Sequence, residues 1–222
     1  MQPNPGPGKL IVVEGLDGAG TTTQAQILGD WLRECARVPD VHVTWEPSAG
    51  PVGTQIRQVL THRLSMDRRT LTALFAADRI DHLYHPQGVI ERLKAGTWVL
   101  MDRYYLSSFA YQALSLSEEE MVWLRHLHAP CVIPDVTFFL DVPVKVCIER
   151  IGLNRGANFE LFEEEDLLRA VSNKYWAAID GFVAQGENIQ IVDGTQQMSA
   201  VTRALQAYIE AAFFRQSGMI MV

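Results

Sequence analysis

Gly15, Leu16, Asp17, Gly18, Ala19, Gly20, Thr21, Thr22 and Thr23 run directly on from an apolar stretch, Leu10–Val13, and Glu14. Glycines in such a loop let successive backbone N–H groups converge on an anion with no Cβ in the way. A helix beginning immediately afterwards adds partial positive charge at its N-terminus. The chemistry this order supports is phosphate binding. Gly15 and Gly20 fit the glycines of the phosphate-loop pattern G-x-x-x-x-G-K-[ST], and Thr22 fits the hydroxyl that ligates Mg²⁺. Thr21 stands where that pattern has lysine. Taken alone, the loop also reads as an ordinary glycine turn between strand and helix.

Two further groupings bear on the same chemistry. Asp102-Arg103-Tyr104 closes an apolar run. A carboxylate at a strand end can orient Mg²⁺ through a water, and a neighbouring guanidinium can grip a phosphate with two donors; a structural ion pair is the alternative. Phe75 and Arg79 are spaced i, i+4 and share a helix face. A flat ring beside a planar donor fork suits a nucleobase, although a core aromatic beside a surface arginine has the same spacing. Ser107-Ser108-Phe109-Ala110-Tyr111-Gln112 follows Arg103 closely, and its hydroxyls and amide suit a base edge or a sugar.

The elements that must position these groups are legible from periodicity. Leu10–Glu14, Val41–Trp45, Thr97–Asp102, Val136–Asp141 and Asn188–Val192 are near-continuous apolar runs, as strands buried on both faces of a parallel sheet read. Helix-period segments separate them, which predicts an α/β fold with a doubly wound five-stranded parallel sheet flanked by helices. Helices are expected at Gln24–Arg37, Thr54–Thr61, after an Asp67 N-cap as far as His85, at Gly88–Lys94, after a Ser117/Glu120 capping box, from Pro143 to Arg150, at Asp166–Phe182 and at Ser199–Phe214. The head, 1–8, is rich in proline and glycine and reads as a loose lead-in to a single domain over 9–222. A lid is expected at about 150–165, where IGLNRGANFELFEEED breaks the helical period.

A chain of 222 residues with 48% hydrophobic and 20% charged residues has enough apolar content for one full core. The net charge of −7 argues against broad contact with nucleic acid or an anionic membrane, so an anion site must be locally basic against a negative whole. Cys35, Cys131 and Cys147 form neither a CxxC pair nor a disulfide framework, which suits a reducing cytoplasm. No apolar run is long enough to span a bilayer.

EGLDGAG-TTTQ, Glu46-Pro47, LFAADR and DRYYLSSFAYQ, in this order and at these separations, resemble thymidylate kinase from about Lys9 to the last helix. That resemblance implies a P-loop fold with a flexible lid, pairing into a homodimer, and Mg²⁺-dependent transfer of the ATP γ-phosphoryl group to dTMP. It implies that Phe75 stacks on thymine, Arg79 bonds its O4, Ser108 faces the thymine edge and Tyr111 crowds C2′. Glu46 and Gln112 join the dTMP site, Arg103 holds its phosphate, and Asp17 lies near the acceptor sugar and phosphate. Thr22 and Asp102 serve Mg²⁺, and Asp193-Gly194-Thr195 lies near adenine. The helix from Asp67 to His85, with Leu71, Leu74 and Phe75 in its apolar stripe, is the candidate dimer face.

The chain departs from that family at Thr21, at Trp45, where many bacterial members have arginine, and at Glu160-Leu161-Phe162-Glu163, where an arginine is missing from the lid signature. Arg155 and then Arg150 are the cations expected to compensate. Two other readings remain beside the kinase: a nucleoside-monophosphate kinase for another base, and a nucleotide-binding protein with weakened catalysis.

Overall fold

Every side chain from Leu10 to Val13 is buried to within 1% of complete, on a strand with neighbours on both sides. The computed structural model describes residues 1–155 and 164–214, with residues 115, 154 and 155 described by their backbone only. In it β1 (Leu10–Gly15) lies at the centre of a five-stranded sheet. β3 (Trp98–Asp102) and β4 (Val136–Asp141) flank it, β2 (Val41–Trp45) lies outside β3, and β5 (Ile189–Asp193) lies outside β4, all parallel. The expected strands match these to within a residue at each end. A buried valine or leucine contributes about 1.5–3 kcal/mol relative to exposure, so the sheet interior dominates the stability of the fold.

The helices are α1 (Thr21–Glu34), α2 (Pro51–Leu60), α3 (Arg68–Tyr84), α4 (Val89–Lys94), α5 (Tyr105–Tyr111), α6 (Glu118–Leu127), α7 (Val144–Arg155), α8 (Glu165–Val183) and α9 (Met198–Ile209). Local chemistry accounts for their starts. Pro51 occupies the first turn of α2, where its missing N–H costs nothing. Asp67 caps α3 through Arg69 N, and Ser117 with Glu120 forms the capping box of α6.

α1 begins at Thr21, ahead of the expected Gln24, because the phosphate loop feeds straight into it. Gly20, at φ 98°, is its N-cap. α7 continues to Arg155, beyond the expected Arg150, so the first part of the expected lid is helical. The rest of that stretch, 156–163 with Glu160–Glu163, lies outside the described residues, as does the Arg155 side chain.

The head is packed where a loose lead-in was expected. Gln2 pairs with both Cys131 and Ile133, and Asn4 Nδ2 donates to Gly8 O and to Asp135 Oδ2 at 2.7 Å each. The Leu71–Leu74–Phe75 stripe of α3 faces inward, packed with Ile56 and Val59 of α2.

The chain leaves β1 toward β2 and later leaves β3 toward β4 on the opposite side of β1. Ligands in open α/β sheets lie off the carboxyl ends of strands at such a reversal. Gly15, Trp45 and Asp102 all end strands there.

Candidate active site

A cleft of about 690 Å³ opens over those strand ends. Asp17 to Gln24, Glu46, Phe75, Arg79, Asp102, Arg103, Tyr111 and Gln112 all line it, as do Arg150 and Gly194. Among the described residues, four arginines (Arg57, Arg79, Arg103 and Arg150) face three carboxylates (Asp17, Glu46 and Asp102), a slightly positive balance on a chain of net −7. The cleft thus meets the requirement for a local anion site.

The phosphate loop has its shape because two of its residues must be glycine. Gly18 has φ 83°, and a Cβ there would meet the Cys147 carbonyl oxygen at 2.5 Å; Gly20 has φ 98°. Both values lie in the region that L side chains rarely adopt. Gly15 and Leu16 stand behind the loop rather than on the cleft wall, and Leu16 is buried. Thr21 is 5% exposed and on the wall. Thr22 Oγ1 donates to Asp102 Oδ2 at 2.5 Å, while Asp102 Oδ1 is buried with no hydrogen-bond partner among the described residues.

Arg103 sits at φ 66°. Its guanidinium donates to Gly15 O at 2.9 Å, to Tyr175 OH at 3.2 Å and to Asp17 Oδ1 at 2.6 Å. Tyr111 OH donates to the other Asp17 oxygen at 3.0 Å, and its ring lies under the guanidinium. Glu14 braces this corner from below: its carboxylate accepts from Tyr104 N, Ser107 N, Ser107 Oγ and Tyr175 OH. Burial pushes the Glu14 carboxyl up, while Arg103, the Ser107 hydroxyl and the Tyr104 and Ser107 N–H groups pull it back. Neither Glu14 nor Tyr175 was singled out for the site from sequence; the one signal was an acid inside an otherwise apolar strand.

At the other end, Arg79 is 1% exposed, so the reading of a surface arginine is excluded. Its Nε donates to Glu46 Oε2 at 2.6 Å and its Nη1 to Ser108 Oγ at 2.8 Å. Ser108 therefore stands behind Arg79 and is not on the cleft wall. Phe75 and Arg79 do share the cleft-facing side of α3. Arg57, absent from the sequence-based candidates, lines the cleft and donates from Nη1 to Pro47 O and Ser48 O. Arg150 donates to Ala19 O at 3.4 Å and to Gly194 O at 3.1 Å, tying the phosphate loop to the turn after β5. Asp193 and Thr195 bond each other within that turn, and Gly194 and Gln196 face the cleft.

The sequence matches the family model described as thymidylate kinase over residues 13–205. It is 36% identical over 191 residues to the thymidylate kinase of Desulfotalea psychrophila, covering 86% of this chain and 92% of that protein. It is 33% identical over 214 residues to the thymidylate kinase of Nitrosomonas eutropha, covering 95% and 96%. It is 36% identical over 212 residues to a probable thymidylate kinase of Thermococcus kodakarensis, covering 90% and 97%. The chain belongs to the thymidylate kinase family.

This member of the thymidylate kinase family carries donors that fit Mg²⁺. Asp102 Oδ1 is an orphaned buried oxygen beside the Thr22 hydroxyl, and a hard cation takes oxygen ligands of this kind. No cluster of three or more His, Cys, Asp or Glu suited to a metal occurs among the described residues. No described helix is long and apolar enough to cross a membrane.

Proposed function

We propose that the chain phosphorylates dTMP to dTDP with ATP and Mg²⁺. The observation that carries this reading is one continuous cleft with a phosphate loop at one end and a buried Glu46–Arg79 pair at the other. ATP phosphates lie on the backbone N–H groups of Gly18, Gly20, Thr21 and Thr22, with the adenine toward Gly194 and Gln196. The thymine lies against Phe75 and Arg79, the sugar against Tyr111, and the acceptor phosphate between Arg103 and Arg57. An oxygen of that phosphate attacks the γ-phosphorus as the β–γ bridging P–O bond breaks, and ADP leaves with the bridging oxygen. Thr22 and Asp102 would hold Mg²⁺, which would supply neutralisation of the phosphate charge. Catalysis of this kind rests on positioning and charge stabilisation.

Thr21 and Trp45 favour a second reading, a nucleotide-binding protein that turns over poorly. ADP release measured with dTMP, dUMP, dCMP and dGMP separates the two: rapid release with dTMP supports the kinase, and binding of ATP and dTMP without release supports the second reading. The proposal includes a homodimer and a cytoplasmic location, the latter in keeping with three cysteines in no disulfide. A monomer by light scattering at micromolar concentration would remove the dimer.

A further inference from the structure

Arg79 is held by more than its ion pair. His128, just past the end of α6, is wholly buried, and its Nε2 lies against Arg79 Nη1. Its Nδ1 is 2.8 Å from Leu124 O. A carbonyl oxygen can only accept, so Nδ1 carries the proton and Nε2 presents a lone pair to the guanidinium. Phe109 lies tilted against the imidazole at 5.4 Å and limits its rotation.

We infer that His128 is a positioning residue of the acceptor site, fixing Arg79 so that the edge left to the ligand offers donors alone. The Nε hydrogen goes to Glu46, and the two Nη1 hydrogens go to Ser108 and His128. Among the described residues Nη2 has no hydrogen-bond partner, and Arg79 lines the cleft. A base edge meeting Nη2 must therefore bring a carbonyl oxygen. A ring amino group there sets donor against donor and leaves buried polar groups unpaired. Burial first, and the Arg79 charge second, push the His128 pKa down to about 3, so the acceptor lone pair persists at neutral pH. Without it, Nη1 keeps one acceptor, and the guanidinium can turn about its Nε–Glu46 contact.

The inference rests on reading the cleft as a dTMP site, and the test keeps the two apart. Kinetics with dTMP and with dCMP, which carries an amino group in place of the carbonyl, are measured for the parent, His128→Leu and His128→Gln. His128→Leu should raise the dTMP KM about tenfold with kcat within about twofold, and should shrink the preference for dTMP over dCMP. His128→Gln, with an acceptor oxygen near the former Nε2, should recover most of both. Unchanged KM and preference in His128→Leu would overturn the inference, as would equal loss in both variants. The ¹⁵N resonances of His128 in the parent provide a check that does not depend on folding of a variant. An Nδ1–H tautomer at neutral pH supports the inference, and an Nε2–H tautomer or an imidazolium overturns it. A parent that releases no ADP with dTMP strikes instead at the proposed function.

Discussion

Thr22 Oγ1 and Asp102 Oδ2 meet at 2.5 Å across the ends of α1 and β3, and the second Asp102 oxygen is left buried without a partner among the described residues. An unpartnered carboxylate oxygen is costly to bury, so its retention points to a ligand that fills the gap.

Asp102→Asn tests this. The variant keeps the acceptor for Thr22 and removes a buried charge. Thermal stability should be equal to or above that of the parent. The Mg²⁺ concentration giving half-maximal rate should rise about tenfold to a hundredfold, as for a residue that supports a metal. An unchanged Mg²⁺ dependence would assign Asp102 a purely structural role.

Arg103 is both strained and tied down. Its φ of 66° is unfavourable for a side-chain residue, and its guanidinium bonds Gly15, Tyr175 and Asp17. Both Arg103→Ala and Arg103→Gly should therefore lose stability and most of kcat/KM. The glycine variant should be the more stable by about 1 kcal/mol, because it alone relieves the backbone strain. Urea melts of the two variants decide this, and equal midpoints would mean that the strain is negligible.

The sheet was legible because its strands are unbroken apolar runs, and burial from Leu10 to Val13 leaves periodicity little to compete with. The corner around Arg79 was not. Phe75–Arg79 spacing identified the face of α3, but the partners of Arg79 come from Glu46, Ser108 and His128 on three other segments. Helical periodicity says nothing about which distant acceptors meet a guanidinium, so an arginine followed by Ile80 and Asp81 read equally well as exposed. The packing of the head is hidden for a related reason: proline and glycine predict looseness, while Gly6 packs so closely on Leu93 that a Cβ would lie 2.2 Å from its carbonyl oxygen.

The same corner sets an acid limit on stability. The His128 pKa falls from 6.5 to about 3, through burial first and Arg79 second. Between those values the unfolded chain binds this proton and the folded chain does not. Stability from this group is therefore complete above about pH 6.5 and is lost as pH falls, with a slope approaching about 1.4 kcal/mol per pH unit. His42, lowered to about 4 by burial first, acts in the same direction, so acid sensitivity remains in any single variant. His128→Gln should make the fall in urea-derived stability shallower by roughly 1 kcal/mol per unit between about pH 6 and pH 4. Parallel profiles for parent and variant would contradict a neutral buried imidazole.

The absent P-loop lysine gives the most demanding prediction. A lysine there places a full charge near the β- and γ-phosphates, and a threonine hydroxyl supplies at most one hydrogen bond. Of the two arginines expected to compensate, Arg150 already reaches the loop, with Nη1 on Ala19 O and Nη2 on Gly194 O. It lines the cleft from α7, whose last residue is Arg155, so both arginines belong to one helix. Neutral carbonyls hold Arg150 more weakly than a carboxylate does, which leaves its charge available to a triphosphate. Arginines placed on a transferring phosphoryl group are worth about 10³–10⁵ in kcat in GTPases. Arg150→Ala should accordingly lose at least about a hundredfold in kcat, with the dTMP KM nearly intact because Arg79 and Arg103 are untouched. Thr21→Lys should restore part of that loss in the double variant while changing the parent little, since the two cations serve the same phosphates. The measurement is kcat for both single variants, the double variant and an Arg155→Ala companion. Additive effects of Arg150→Ala and Thr21→Lys would show that the two positions act independently, and loss confined to Arg155→Ala would move the compensating charge to the end of the helix.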